Sequence, residues 1–218
     1  MIRLLYERYL LMLIHRHTTM PAHIAVVLSE TDLLHQDGFN KLTTFIDWCR
    51  KLEIKMLSFY IDVLDTEPGL KQEMVRKLAS VLRDTLDKLP DDIGFAIYNE
   101  NGEPYERRDS KGMLVSISVG FGGRKEITKA VVAVLYDVKK GNITPKQING
   151  NTIESHLLIH EETDLIMRAG GKHLSDFLIW QSAYSELYFT DVNWYDLRKI
   201  ELLRVIRDFQ KRQRRYGK

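Results

Sequence analysis

Arg168, Gly170, Gly171 and Ser175 are the residues of this 218-residue chain whose types and spacing most directly suggest chemistry. A short apolar run from Asp164 closes on Arg168, two glycines follow, and Ser175-Asp176 opens an aromatic-rich segment that ends at Asp191. This pattern predicts strand, turn and helix. The strand end would hold a planar guanidinium, and the glycines would let backbone N–H groups approach an anion. A helix beginning near Ser175 would add the positive end of its dipole. The chemistry implied is recognition of an oxyanion, phosphate above all.

The elements that must position these residues follow from apolar patterning. Unalternating apolar runs at His23–Leu28, Ile54–Ile61, Ile93–Tyr98, Met113–Val119 and Asp164–Arg168, with a short one at Glu186–Phe189, predict buried strands. Between them, helical spacing spans Gly38–Leu52, Leu70–Leu89, Arg124–Lys139, Pro145–Ile159, Asp176–Tyr184 and Trp194–Gln213. Alternating strand and helix gives the expected fold class: α/β, a single domain with a mostly parallel six-stranded sheet flanked by helices. Ahead of it, Ile2–Ile14 places Ile2, Leu5, Tyr6, Tyr9, Leu10 and Leu13 at helical spacing. A helix of that length is too short to span a bilayer, so it packs on its own domain or lies on a membrane surface.

Composition narrows the class. Hydrophobic residues at 44% and charged residues at 28% describe a soluble globular protein. The single Cys49 excludes an internal disulfide and fits the cytoplasm. The net charge of +2 conceals an asymmetry, because residues 204–218 hold seven basic groups and one acid. A basic tail on an acidic body points to an anionic partner. No nucleic-acid recognition motif accompanies it, so the expectation is no nucleic acid. The predicted organisation is an amphipathic helix over 1–20, an α/β domain over 21–203 and a basic tail over 204–218.

Several motifs together resemble the cis-prenyltransferases, the undecaprenyl and dehydrodolichyl diphosphate synthase family. Asp164, Arg168, Gly170, Gly171, Ser175, Phe177, Trp180, Gln181, Tyr184, Glu186 and Tyr188 stand in the order of its C-terminal signature. Lys172 replaces a usual Glu, and His173 stands where an Arg is expected. Pro21–Leu28 follows the family's first strand, and Gly120–Arg124 with Glu126 resembles its glycine-rich turn. His35 through Gly38 fits its H-x-x-G, which would put His35 near the allylic diphosphate; by residue type alone His35 is a surface or capping group. Glu186, which the resemblance implies as a metal ligand, could equally serve only an ion pair.

The resemblance fails where the family binds magnesium. Its first strand should end on an Asp that holds the ion carrying the allylic diphosphate, followed by Gly and Asn. Here Ser29, Glu30 and Thr31 occupy those places. The landmark expected after Tyr60 is also absent, replaced by Ile61-Asp62-Val63-Leu64. The extreme C-terminus reads Arg215-Tyr216-Gly217, similar to the R-x-G with which non-catalytic subunits complete a partner's isopentenyl diphosphate site. The resemblance therefore implies a non-catalytic subunit, binding diphosphate through Arg168, Ser175, Arg215, Gly217 and His35. It would work with a catalytic paralogue in a heterodimer or heterotetramer, with Mg2+ in that complex. Its ligands would be isopentenyl and polyprenyl diphosphates, with peripheral membrane contact and a homodimer as further expectations. The alternative is a self-sufficient homodimeric prenyltransferase using Glu30 or Asp32 for magnesium.

Overall fold

Six of the seven residues of β1 (His23–Ser29) are buried, and they divide between two cores. Ile24, Val26 and Leu28 enter the larger one, Ala25 and Val27 a smaller one on the other face. A strand covered on both sides has no solvent face, which is why its sequence is apolar without alternation. The computed structural model describes residues 2–35, 37–64, 67–171 and 177–212. Around β1 it arranges, in chain order, α1 (Ile2–His15), α2 (Glu30–Leu34), α3 (Gly38–Lys51), β2 (Met56–Asp62), α4 (Pro68–Leu86), β3 (Ile93–Tyr98), β4 (Pro104–Arg108) and β5 (Met113–Val119). There follow α5 (Gly123–Lys140), α6 (Gly150–Glu154), β6 (Leu165–Ala169), β7 (Glu186–Thr190) and α7 (Lys199–Lys211).

The strands form one sheet in the order β4-β3-β5-β2-β1-β6-β7. Every neighbouring pair is parallel except β3 with β4. The expected α/β class holds, with seven strands rather than six. The seventh, β4, is a charged edge strand whose mostly exposed side chains leave no apolar signature. It is held through Arg108, which donates to the carbonyls of Leu89, Pro90 and Ile93.

Helices on the larger-core face bury Leu42, Phe45, Ile46 and Cys49 from α3 and Leu202, Leu203, Ile206 and Phe209 from α7. Trp194 lies fully buried among them, its ring centroid 5.4 Å from that of Phe45 and 6.2 Å from that of Phe59. Its indole N–H donates to the Gly38 carbonyl at 3.1 Å. Each such side chain contributes about 1.5–3 kcal/mol by leaving water. Burial also pushes the Cys49 thiol far up, so it stays protonated and inert.

Three expected helices are altered. Pro145–Ile159 is a single 3-10 turn and the five-residue α6, because the Asn149 side chain accepts the Thr152 N–H and caps a new start. Trp194–Gln213 breaks after a 3-10 turn, and α7 restarts where Arg198 and Glu201 bond reciprocally. Residues 177–184 run as successive turns instead of a helix, with Leu178 at a φ of 49°. In the opposite sense, the segment after Ser29, where the family motif breaks down, is the short helix α2.

Candidate functional site

The parallel register brings the carboxyl ends of β1, β2, β5 and β6 to one edge of the sheet, where open α/β sheets hold ligands. A cleft of about 450 Å³ opens there, lined among others by Ser29, Glu30, Asp62, Lys71, Gly122 and Lys125. Gly122 precedes α5 and offers no side-chain cap, so first-turn N–H groups carry partial positive charge at the cleft rim.

At the β1 exit the polar groups serve the chain itself. Ser29 caps α2: its backbone N–H and hydroxyl both donate to Asp32 Oδ2, at 2.8 and 2.7 Å, and its Oγ accepts the Asp32 N–H at 3.3 Å. Glu30 is 4% exposed, and its Oε2 accepts the Leu64 N–H at 2.7 Å. That bond ties the turn after β1 to the chain leaving β2. Both carboxylates named in the magnesium alternative, Glu30 and Asp32, thus bond within the fold. Among the described residues no group of three or more His, Cys, Asp or Glu is placed to hold a metal ion. Asp62, the Cα partner of Ser29 across the ladder, is instead the exposed acid of the cleft. Sequence reasoning passed over it, although its place at the strand end beside Ser29 was a readable signal.

At the β6 exit the opposite holds. Arg168, the penultimate residue of the strand, is half-buried, and its Nε and Nη1 are buried without a hydrogen-bond partner among the described residues. A buried cation left that way is costly unless an anion satisfies it. The two glycines leave room for one. A Cβ at Gly171 would stand 3.0 Å from Arg168 Nε, whereas Gly170 has a φ of +64° and a Cβ there would meet Asn193 Oδ1 at 2.9 Å. The guanidinium fork can therefore offer two donors to a phosphate or diphosphate.

The remaining expected site residues scatter. Ser175, Arg215 and Gly217 lie outside the described residues. His35, exposed at the end of α2, stacks on Tyr195 with centroids 3.7 Å apart and planes at 11°. Glu186 begins β7, opposite Leu165 at the amino end of β6, and so lies at the far edge of the sheet from Arg168. Its carboxylate accepts from Arg212 at 2.5 Å, and the Arg212 guanidinium lies 4.6 Å from the Tyr188 ring centre. Within this chain Glu186 is thus an ion-pair residue, away from the cleft.

Other signature residues turn out to hold the frame. Asp164 Oδ2 accepts the backbone N–H groups of Ala22 and His23 at 2.7 and 3.1 Å, joining the start of β1 to β6. Buried Glu126 accepts from the Leu158 N–H at 2.9 Å and the Gln181 amide at 3.2 Å, and burial holds its carboxyl above the ordinary range. Beside the cleft, α4 also borders an apolar groove of about 380 Å³ lined by Leu34, Phe39, Leu70, Met74, Leu78 and Val81.

The chain and its fold have known relatives. Residues 82–217 match the prenyltransferase family model described as undecaprenyl diphosphate synthase. A tritrans,polycis-undecaprenyl-diphosphate synthase (geranylgeranyl-diphosphate specific) of Thermococcus kodakarensis is 32% identical, over 98% of this chain and 92% of that protein. This chain belongs to the cis-prenyltransferase family. Another cis-prenyltransferase relative, the synthase of the same description from Methanopyrus kandleri, is 35% identical over 84% of this chain and 76% of its own length. The crystal structure of lavandulyl diphosphate synthase from Lavandula x intermedia, with dimethylallyl diphosphate, superposes with a TM-score of 0.77 at 23% identity. It covers 91% of this chain and 99% of that one, which supports the cis-prenyltransferase fold. Among the described residues no helix is long and apolar enough to cross a membrane.

Proposed function

We propose that this cis-prenyltransferase is the non-catalytic subunit of a heteromeric enzyme that makes long-chain polyprenyl diphosphate for a glycosyl carrier lipid. Chain elongation breaks the C–O bond of an allylic diphosphate, joins its carbon to isopentenyl diphosphate and releases a proton. Departure of the diphosphate needs its growing charge neutralised, which magnesium does in such reactions. The observation that carries the proposal is Ser29, a hydroxyl where the family binds magnesium, committed with Asp32 to capping α2. If metal and loop together contribute about 4 kcal/mol in the transition state, a chain without them is roughly a thousandfold slower. The catalytic paralogue brings the Mg2+ site, and this chain brings Arg168 for a diphosphate, with Arg215 and Gly217 reaching the partner's isopentenyl diphosphate. The assembly is a heterodimer or heterotetramer, cytoplasmic and peripheral at a membrane. Its test is incorporation of radiolabelled isopentenyl diphosphate into lipid by the chain alone and with a paralogue carrying an intact first-strand Asp. Incorporation only by the pair supports the proposal; normal turnover by the lone chain refutes it.

Asp62 favours a second reading, a self-sufficient homodimeric synthase. This acid ends β2 directly beside Ser29 and lines the cleft along with Lys71 and Lys125, so it could replace the missing carboxylate from one strand away. Magnesium can bind through one or two carboxylates together with substrate phosphates. Turnover by the lone chain that vanishes in Asp62→Ala would establish this reading, and turnover that persists would remove it.

A further inference from the structure

Helix α1 carries more apolar surface than the fold buries. Leu10 and Ile14 pack inward against α7, and Gln210 secures the same end by donating to the Ile14 carbonyl at 3.1 Å. Leu4, Leu5, Tyr9 and Met12 instead stay 67%, 61%, 50% and 45% exposed. At 3.6 residues per turn these four share the outward arc with Arg8, His15 and Arg16, all exposed as well.

The charge on this helix is one-sided. Glu7 is the single acid among the first 29 residues, against three arginines and three histidines. It is turned inward, 3.3 Å from Lys199 of α7. Arg204 of α7 adds its guanidinium 5.4 Å from the centre of the Tyr6 ring. An apolar strip bordered by cations, with its one acid internally paired, fits the interface of an anionic bilayer. Leucine and methionine enter the acyl boundary, tyrosines sit at headgroup depth, and arginines meet lipid phosphates. A second copy of the chain is a poor occupant, because two such faces would oppose Arg8 and Arg16 to each other.

We propose that the outward face of α1 docks this protein on an anionic membrane surface. The inference deepens the peripheral-membrane part of the proposed function. It is tested with the full chain alone, by flotation with vesicles of zwitterionic lipid and of the same lipid containing phosphatidylglycerol. Binding is expected on the anionic vesicles and should weaken with salt. Arg8→Gln and Arg16→Gln should each reduce that binding about fivefold, and Leu5→Asp with Met12→Asp should abolish it. Those side chains point away from the core, so an unchanged unfolding midpoint shows that the fold survives. Full vesicle binding by Leu5→Asp/Met12→Asp, or no binding by the unaltered chain, overturns the proposal. So does a dimer that the same variant converts to monomer in sedimentation without any vesicle binding, which would assign the face to a second copy. Isopentenyl diphosphate incorporation by the paired chains in detergent, without vesicles, reports on the proposed function separately.

Discussion

Two turns leave the same edge of the sheet from adjacent strands, Arg168 lying opposite Val27 two residues before Ser29, and they treat charge in opposite ways. At the β1 exit, Ser29, Asp32 and Glu30 satisfy one another and the Leu64 N–H, leaving no acid of that turn unengaged. At the β6 exit, half-buried Arg168 keeps two buried donor nitrogens unpaired among the described residues, and Gly171 keeps the space beside it clear. A turn whose polar groups satisfy one another contributes stability, whereas buried donors without a partner call for an explanation, of which a bound anion is one. The comparison sets a self-satisfied turn against a neighbouring strand end whose guanidinium has donors to spare among the described residues.

The largest effect should come from the incomplete side. Arg168→Gln removes two charge-assisted donors, and binding of inorganic diphosphate, measured by calorimetry, should fall about a hundredfold. Its unfolding midpoint should hold or rise, because a charge with buried donors unpaired among the described residues is lost. A marked loss of stability with unchanged diphosphate binding would make Arg168 structural and erase the contrast. On the complete side the readout reverses. Glu30→Ala leaves the Leu64 N–H unpaired and should cost about 2 kcal/mol in urea unfolding, with turnover of the paired enzyme preserved. Ser29→Ala loses the cap of α2 and should cost about 1 kcal/mol, again without affecting turnover.

These two regions were unequally legible in the sequence. Arg168 and its glycines could be read because strand end, guanidinium and Gly-Gly are contiguous. The strands were readable since burial on both faces leaves continuous apolar runs. Glu30 was opaque, because its partner is a backbone N–H 34 residues away. The Ser29-x-x-Asp32 spacing was a readable capping pattern, and its meaning was masked by the missing metal ligand at the same position. The edge strand β4 gave no apolar signal, and Asp176–Tyr184 looked helical by composition. There the buried Glu126–Gln181 hydrogen bonds and the positive φ of Leu178 set turns that periodicity does not encode.

The smallest effect concerns the frame at the other end of β1. His23 is buried between Ser58 Oγ at 2.8 Å and the Glu162 carbonyl at 3.1 Å, and burial holds its pKa below the ordinary 6.5. A depressed folded pKa means that the unfolded chain binds the proton first. Stability is therefore full above about pH 6.5 and declines as pH falls toward the folded value. In His23→Gln this component of the acid-side decline, followed by thermal unfolding between pH 7.5 and about 5, should disappear. An unchanged slope would mean that His23 is not a proton-linked part of the frame.

Ligand binding by the lone chain tests the central contrast most directly. A non-cleavable allylic thiodiphosphate would be titrated with and without magnesium into the unaltered protein, Arg168→Gln and Ser29→Ala. The account predicts diphosphate binding that depends on Arg168, is indifferent to Ser29 and gains little from the metal. Magnesium-dependent binding that survives Arg168→Gln and is lost in Ser29→Ala would contradict it.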